Sequence, residues 1–188
     1  MRQAKLLKQD ILYDKWGKKF VVDTLQMEDG VVGEWSYIKG REGVMVVALT
    51  PDKKIILVRQ YRYTIQQFTI ENCAGGVEKD EVEADAIKRE LLEESGYQVG
   101  ELISLGKYYD LPSETNHWCH IFLATNCQFV APPILDADVE KYFEMSIEIH
   151  DFKEVFKNLG TDHSLIKSAE QSFGIMLAHR YLTQNNLL

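Results

Sequence analysis

The chain has 188 residues, of which 45% are hydrophobic and 27% charged, and its formal net charge is -8. This length fits one domain with or without an extension, and the hydrophobic share is enough for a packed core. The acidic balance argues against a general nucleic-acid-binding protein, which presents a basic surface to phosphates. No apolar run is long enough to span a bilayer, which argues against a membrane partner.

The N-terminus and the cysteines bear on the cellular compartment. The first sixteen residues carry charges throughout and lack the apolar centre of a signal peptide. Cys73, Cys119 and Cys127 are odd in number and lack the spacing of metal ligands. They are typical of free thiols in a reducing compartment, so we expect a cytoplasmic protein.

The first part of the chain predicts strands separated by polar turns. Pro51-Asp52 predicts a hairpin turn between the fourth and fifth of these strands, and the sixth runs into a glycine turn. The predicted strand segments are 6–13, 18–27, 31–39, 44–50, 53–63 and 68–76.

A helix is predicted next, over about 81–95, with Asp80 as its N-cap and Gly96 as the glycine that ends it. The order of strand-rich and helical segments predicts an α+β fold, in which helices pack on a mixed sheet. The later predicted segments are strands at 102–112, 117–125 and 142–149 and helices at 151–160 and 165–182.

Most of the net negative charge lies in residues 75–97, whose eight acidic and three basic side chains give -5 of the total of -8. On the predicted helix, Glu90, Glu93 and Glu94 share one face, where like charges repel one another. Helix stability does not explain this pattern. A bound Mg²⁺ would neutralise the negative charges, since that ion prefers carboxylate oxygens, water and substrate phosphate as ligands. A solvated acidic face is the alternative interpretation.

Two neighbouring features favour a metal site over a solvated face. Arg89 can orient a glutamate through a bidentate contact. Gly75 and Gly76 let the backbone approach a ligand closely and free the carbonyl of Ala74 for a metal.

The segment also resembles the Nudix box, a pattern written G-x5-E-x7-R-E-U-x-E-E-x-G-U, in which U is aliphatic. Tyr97 is the one departure, at a position that packs rather than reacts. The eight matching positions are Gly75, Glu81, Arg89, Glu90, Leu91, Glu93, Glu94 and Gly96.

The resemblance implies a Nudix fold, a mixed β-sheet sandwiched between helices, over 41–188, preceded by a β-rich extension at 1–40. It implies hydrolysis of a nucleoside diphosphate linked to another group, with Mg²⁺ or Mn²⁺ as cofactor. Glu93 and Glu94 would be both catalytic residues and metal ligands, and Arg89 would position them. The metal ligands implied by the resemblance are Ala74, Glu90, Glu93 and Glu94. Glu81 would be a helix cap or a partner of Arg89.

Features outside the box resemble the ADP-ribose and ADP-sugar pyrophosphatase branch of the family. The run VRQYRY carries Arg59, Gln60 and Arg62 just before the turn at 71–76. Strand alternation places Gln60 and Arg62 on one face and Arg59 on the other, so one face could bind phosphate. A merely solvated polar face is the alternative. Pro112, fifteen residues beyond Tyr97, is similar to a proline that marks this branch.

The branch takes a further catalytic glutamate from a loop after the box. Glu140 is the candidate and Asp138 the second choice, with the role of holding or deprotonating the attacking water. A solvated loop carboxylate is the alternative. By the same resemblance, the extension exchanges strands in a homodimer, and Trp35 and Tyr37 help to sandwich the nucleotide base. Core packing is the alternative for one of these two aromatic residues.

The sequence therefore predicts a homodimeric pyrophosphatase that converts ADP-ribose, or a related nucleoside diphosphate sugar, into AMP and a sugar phosphate. Two other hypotheses stay open at this point. One is a Nudix hydrolase for another substrate such as GDP-mannose, and the other is a sensor that binds ADP-ribose without hydrolysing it.

Overall fold

The computed structural model describes residues 4–134 and 145–188. These residues form two compact units. The first comprises the described residues up to Glu42 together with Tyr108–Cys119, and the second comprises Gly43–Lys107 and His120–Leu188. The functional division into an extension at 1–40 and a hydrolase domain at 41–188 stays a prediction.

The first unit contains a three-stranded antiparallel sheet in the order β1-β2-β3. Trp16 and Gly17, with φ values of 53° and 72°, form the tight turn between the first two strands. All three strands predicted in this region are confirmed. Their bounds are β1 (Lys5–Lys15), β2 (Lys18–Gln26) and β3 (Val32–Lys39).

The second unit is organised around a seven-stranded sheet. Its strands are β4 (Gly43–Leu49), β5 (Lys54–Arg62), β6 (Gln67–Glu71), β7 (Cys73–Gly76), β9 (Glu101–Tyr109), β10 (Trp118–Thr125) and β12 (Ser146–Asp151). The order is β12-β5-β4-β10-β9, while β6 pairs with β5 and β7 pairs with β4. A short ribbon pairs β8 (Tyr97–Gln98) with β11 (Gln128–Phe129).

Helices cover both faces of this sheet. They are α1 (Glu83–Ser95), α2 (Phe152–Asn158) and α3 (Ala169–Gln184). Adjacent residues of β4 alternate between two apolar clusters. Val46 packs in one cluster with Leu91 of α1, and Val47 packs in the other with Ile175 of α3. The predicted α+β class, with a mixed sheet sandwiched between helices, is therefore confirmed.

The start of α1 differs from the prediction, whereas its end agrees. Asp80 is not the N-cap: its φ is 65°, and Val82 holds that position without a side-chain hydrogen bond. Hydrogen bonds from Arg89 and from the Glu78 N–H hold Glu81 outside the helix, which therefore begins two residues later than predicted. Gly96 ends α1 in the left-handed region, with a φ of 72°.

Two other predicted segments are corrected. The strand predicted at 68–76 is divided at Asn72, and its glycines pair in β7 rather than forming a turn. The last helix begins at Ala169 because Ile166 is buried and Ser164 Oγ donates to its carbonyl in a preceding turn. Within residues 4–134 and 145–188, no helix is both long and apolar enough to cross a membrane.

Candidate active site

The contact between α1 and β7 brings two helix glutamates against the strand backbone. The Ala74 N–H donates to Glu94 Oε2 at 3.1 Å. A Cβ atom at Gly75 would overlap the carboxylate of Glu90, so no larger residue fits without displacing that side chain. Gly75 is thus required by the close approach of a glutamate to the strand, not by a chain reversal.

Arg89 makes five hydrogen bonds that join three parts of the site. Its Nε and Nη2 donate to the two carboxylate oxygens of Glu81, each at 3.0 Å. Nη2 also donates to the carbonyl of Gly76, at 3.1 Å. Nη1 donates to Glu90 Oε1 at 2.9 Å and to Glu93 Oε2 at 3.1 Å. The planar guanidinium therefore connects the loop before α1, the end of β7 and two of the helix glutamates.

These bonds decide between the two roles considered for Glu81. Its carboxylate binds Arg89 and accepts a hydrogen bond from the Glu78 N–H at 2.9 Å, and Val82 occupies the N-cap. The hydrogen bond from Arg89 and that from the Glu78 backbone lower the pKa of Glu81. Glu81 is thus a charged partner of Arg89 and not a helix cap.

The three helix glutamates differ in their exposure and in their electrostatics. The side chain of Glu90 is 16% exposed and that of Glu93 is 41% exposed. Burial, aided by the negative charge of Glu90, raises the pKa of Glu94 to about 8. The Ala74 N–H and the charge of Arg62 oppose this shift without cancelling it. Glu94 thus lies where additional positive charge would stabilise its ionised form.

The residues present fit a divalent cation. Glu90 and Glu93 share one guanidinium nitrogen, and Glu94 lies next to them on the same helix face. The ligand atoms they offer are carboxylate oxygens, the type that hard divalent ions prefer. A bound dication would also neutralise the crowded negative charge that raises the pKa of Glu94.

A second ion pair lies on the same face of the sheet, on β5 and β6. Arg62 Nε donates to Glu71 Oε1 at 2.9 Å, and Arg62 Nη2 donates to Glu71 Oε2. Thr69 Oγ1 donates to Glu71 Oε1 at 2.5 Å. Burial opposes the ionisation of Glu71, but the hydrogen bonds from Arg62 and Thr69 outweigh it and lower its pKa.

The predicted faces of β5 are confirmed. Val58, which packs in the cluster of α1, pairs with Glu71, and Gln60 pairs with Thr69, so these residues share the α1 face with Arg62. Arg59 pairs with Ile70, a residue packed in the cluster of α2 and α3. The guanidinium carbon of Arg59 lies 3.6 Å from the ring centroid of Phe68. Arg59 therefore lies on the face of the sheet opposite the glutamates.

Of the remaining predicted site residues, the structure describes Trp35, Tyr37 and Pro112, all of which belong to the first unit. Trp35 and Tyr37 lie on β3 in the first unit, where Trp35 is 56% exposed. Pro112 is exposed and also belongs to the first unit. Glu140 and Asp138 fall outside the described residues. The roles of these residues stay predictions.

Sequence reasoning missed the partners of Arg62. Thr69 and Glu71 alternate along β6 as Gln60 and Arg62 alternate along β5. Because a hairpin places such residues opposite one another, this matched alternation was a signal that could have identified them.

This chain is similar to a known domain family and to several known proteins. Residues 39–166 match the model of the NUDIX domain. An ADP-ribose pyrophosphatase of Bacillus subtilis is 32% identical over 103 residues, which cover 55% of this chain and 56% of that protein. A GDP-mannose pyrophosphatase of Escherichia coli K12 is 31% identical over 133 residues, which cover 65% of this chain and 69% of that protein. The match thus spans little more than half of the Bacillus relative.

A solved structure of an ADP compounds hydrolase has the same fold, with a TM-score of 0.83. The alignment covers 99% of this chain and 97% of that chain, at 20% sequence identity. At this identity the likeness shows the fold alone, whereas the domain match covers most of the sequence and includes every residue of the Arg89 network. The chain belongs to the Nudix family.

Proposed function

We propose that the protein hydrolyses the pyrophosphate bond of a nucleoside diphosphate sugar, with ADP-ribose as the first candidate substrate and AMP and a sugar phosphate as products. The observation that carries this proposal is the Arg89 network, which holds Glu90 and Glu93 beside the partly buried Glu94. The relative named ADP-ribose pyrophosphatase supports the choice of substrate.

In this proposal, Mg²⁺ or Mn²⁺ would be held by Glu90, Glu93 and Glu94, with the carbonyl of Ala74. When bound, such an ion polarises a phosphoryl oxygen and lowers the pKa of a bound water. Arg89 keeps Glu90 and Glu93 oriented by donating to both from one nitrogen, and the Ala74 N–H does the same for Glu94.

The α1 face of β5 would bind the pyrophosphate. Arg62 carries positive charge on this face and is held in a fixed orientation by its two hydrogen bonds to Glu71. Gln60 is buried on the same face. Arg59, Trp35, Tyr37 and Pro112 remain proposed substrate-binding residues, and Glu140 the proposed residue that holds or deprotonates the attacking water.

GDP-mannose is the second candidate substrate. The observation that favours it is the relative named GDP-mannose pyrophosphatase, whose match extends over 133 residues against 103 for the ADP-ribose relative. A sensor that binds ADP-ribose without hydrolysis is less well supported, because Glu90, Glu93 and Glu94 are all present and arranged together.

We also propose that the protein is a homodimer formed through the 1–40 extension. Large apolar side chains are exposed on all three strands of the first unit, which is typical of surfaces that contact another protein. They include Leu6, Leu7, Ile11 and Leu12 on β1, Phe20 on β2, and Val32 and Trp35 on β3, with Trp16 in the adjoining turn.

The proposed location is the cytoplasm. Among the described residues, Cys73, Cys119 and Cys127 form no disulfide, and all three are buried. Recovery of the native protein from an oxidising compartment after cell fractionation would contradict this location.

The central prediction concerns Glu94→Gln. The purified protein with Mg²⁺ should release AMP and a sugar phosphate from ADP-ribose, measured by chromatography. Glu94→Gln keeps an oxygen that can accept from Ala74 but removes the charge that would bind metal, so its rate should fall by at least about 100-fold. Asp85→Asn, the equivalent acid-to-amide replacement at an exposed position of the same helix, should retain activity.

Three other results of this assay would each change part of the proposed function. Cleavage of GDP-mannose alone would replace the first candidate substrate with the second. Tight binding of ADP-ribose without products would support a sensor. Full activity of Glu94→Gln with Mg²⁺ would refute the assignment of Glu94 as a metal ligand.

A second prediction concerns pH and stability without divalent metal. Folded Glu94 keeps its proton up to a pKa of about 8, whereas an unfolded glutamic acid releases it near 4.5. This difference stabilises the fold fully below pH 4.5, and the contribution is lost as pH rises to about 8. Glu94→Gln lacks this titration. The unfolding free energy of Glu94→Gln minus that of the wild type should therefore rise between pH 5 and pH 8.5, by on the order of 4 kcal/mol at most.

Urea unfolding in the presence of a chelator measures this difference at each pH. The two proteins should unfold with similar denaturant sensitivity, since the substitution preserves volume. A constant difference in unfolding free energy from pH 5 to 8.5 would show that Glu94 is not shifted as described.

A third prediction concerns assembly. Sedimentation equilibrium should give about twice the 21.7 kDa mass of one chain. Leu12→Glu, at a side chain that is 66% exposed in the extension, should favour the monomer, whereas Met176→Glu on α3 should not. A single-chain mass for the wild type at micromolar concentration would contradict the proposed dimer.

A further inference from the structure

Asn72 lies where the chain passes from one strand partner to another. It is the single residue between β6, which pairs with β5, and β7, which pairs with β4. Its backbone N–H donates to Gln171 Oε1 of α3, at 2.8 Å. A side chain 99 positions away in the sequence thus fixes the backbone at this crossing.

The side chain of Asn72 strengthens the same connection. Its Nδ2 donates to Gln171 Oε1 at 2.8 Å and to the Gln171 carbonyl at 3.2 Å. Asn72 is 1% exposed and Gln171 is 5% exposed, so water cannot readily replace these bonds. Buried polar partners of this kind hold one specific geometry, because breaking them leaves groups unsatisfied.

The Asn72–Gln171 pair also destabilises the fold in one respect, so its presence is not explained by stability alone. Asn72 Oδ1 is buried and has no hydrogen-bond partner among the described residues. An unsatisfied buried acceptor destabilises the fold, and an apolar pair between sheet and helix would avoid that cost. The pair therefore needs another explanation.

The residues that flank Asn72 supply that explanation. Glu71, just before it, binds Arg62 on the α1 face. Ala74, two residues after it, donates its N–H to Glu94 Oε2. A rotation of the backbone at Asn72 would shift both of these contacts, and with them the carboxylate that α1 presents to β7.

We propose that Gln171 is a positioning residue for the metal site, acting through Asn72 from the opposite face of the sheet. It holds the β6–β7 crossing so that the Ala74 N–H stays directed at Glu94. The inference deepens the proposed function and rests on it, since it takes Glu94 and Ala74 as part of the metal site.

The test is Mn²⁺ binding to the full-length protein, measured by isothermal titration calorimetry without nucleotide. Gln171→Met keeps the side-chain length but removes the amide oxygen, and it should weaken Mn²⁺ binding by about 10-fold, as loss of a supporting residue does. Asn72→Ala should weaken binding less, because its backbone N–H still donates to Gln171. Leu182→Val, a buried change near the far end of α3, is the control for a general loss of stability and should bind Mn²⁺ as the wild type does.

Activity gives an independent readout. Gln171→Met should raise the Mg²⁺ concentration needed for half-maximal activity while the KM for the nucleotide sugar at saturating Mg²⁺ changes little. Wild-type Mn²⁺ affinity in Gln171→Met, or an equal loss in Leu182→Val, would overturn the inference. If the wild type binds Mn²⁺ but cleaves no nucleotide sugar, the proposed function fails, and the comparison of Mn²⁺ affinities still decides this inference.

Discussion

The hydrogen-bonding geometry of Arg89 is the constraint on which the site depends. One guanidinium donates to Glu81, to the carbonyl of Gly76 and to both Glu90 and Glu93. Without a cation between them, carboxylates on one helix face repel one another. Arg89 supplies that cation from within the helix, and its fixed fork also sets the direction of each carboxylate. A lysine at this position would supply the positive charge but not the fixed hydrogen-bond directions of a guanidinium.

The same site illustrates why a binding centre is costly to fold. Glu94 is partly buried beside Glu90, and desolvation together with the charge of Glu90 raises the pKa of Glu94. Asn72 Oδ1 is left without a hydrogen-bond partner among the described residues. Position 75 must be a glycine, because a Cβ atom there would overlap the carboxylate of Glu90. Each of these features opposes stability, and a dication bound as proposed would offset the charge repulsion between Glu90 and Glu94. Their concentration around β7 and α1 marks this region as functional.

The local spacing of residues predicted much of this site. The contacts that it did not predict join residues that lie far apart in the sequence. The spacing of Glu90, Glu93 and Glu94 predicted a shared helix face, and alternation predicted that Arg59 would lie opposite Gln60 and Arg62. The glycine pair was misread because nothing near it in sequence shows that Glu90 approaches the strand. Gln171 could not be found at all, since its contact with Asn72 depends on how α3 packs across the sheet.

The most direct test of the Arg89 network compares Arg89→Lys with Lys88→Arg, which exchange the same two residue types at adjacent positions. Mn²⁺ affinity would be measured by calorimetry for both variants, with thermal unfolding as a check on the fold. Arg89→Lys keeps the charge but loses the fork, so its Mn²⁺ affinity should fall by about 10- to 100-fold while Lys88→Arg, at an exposed position, binds as the wild type does. Wild-type affinity in Arg89→Lys would contradict the account, because it would show that the glutamates need only a nearby charge.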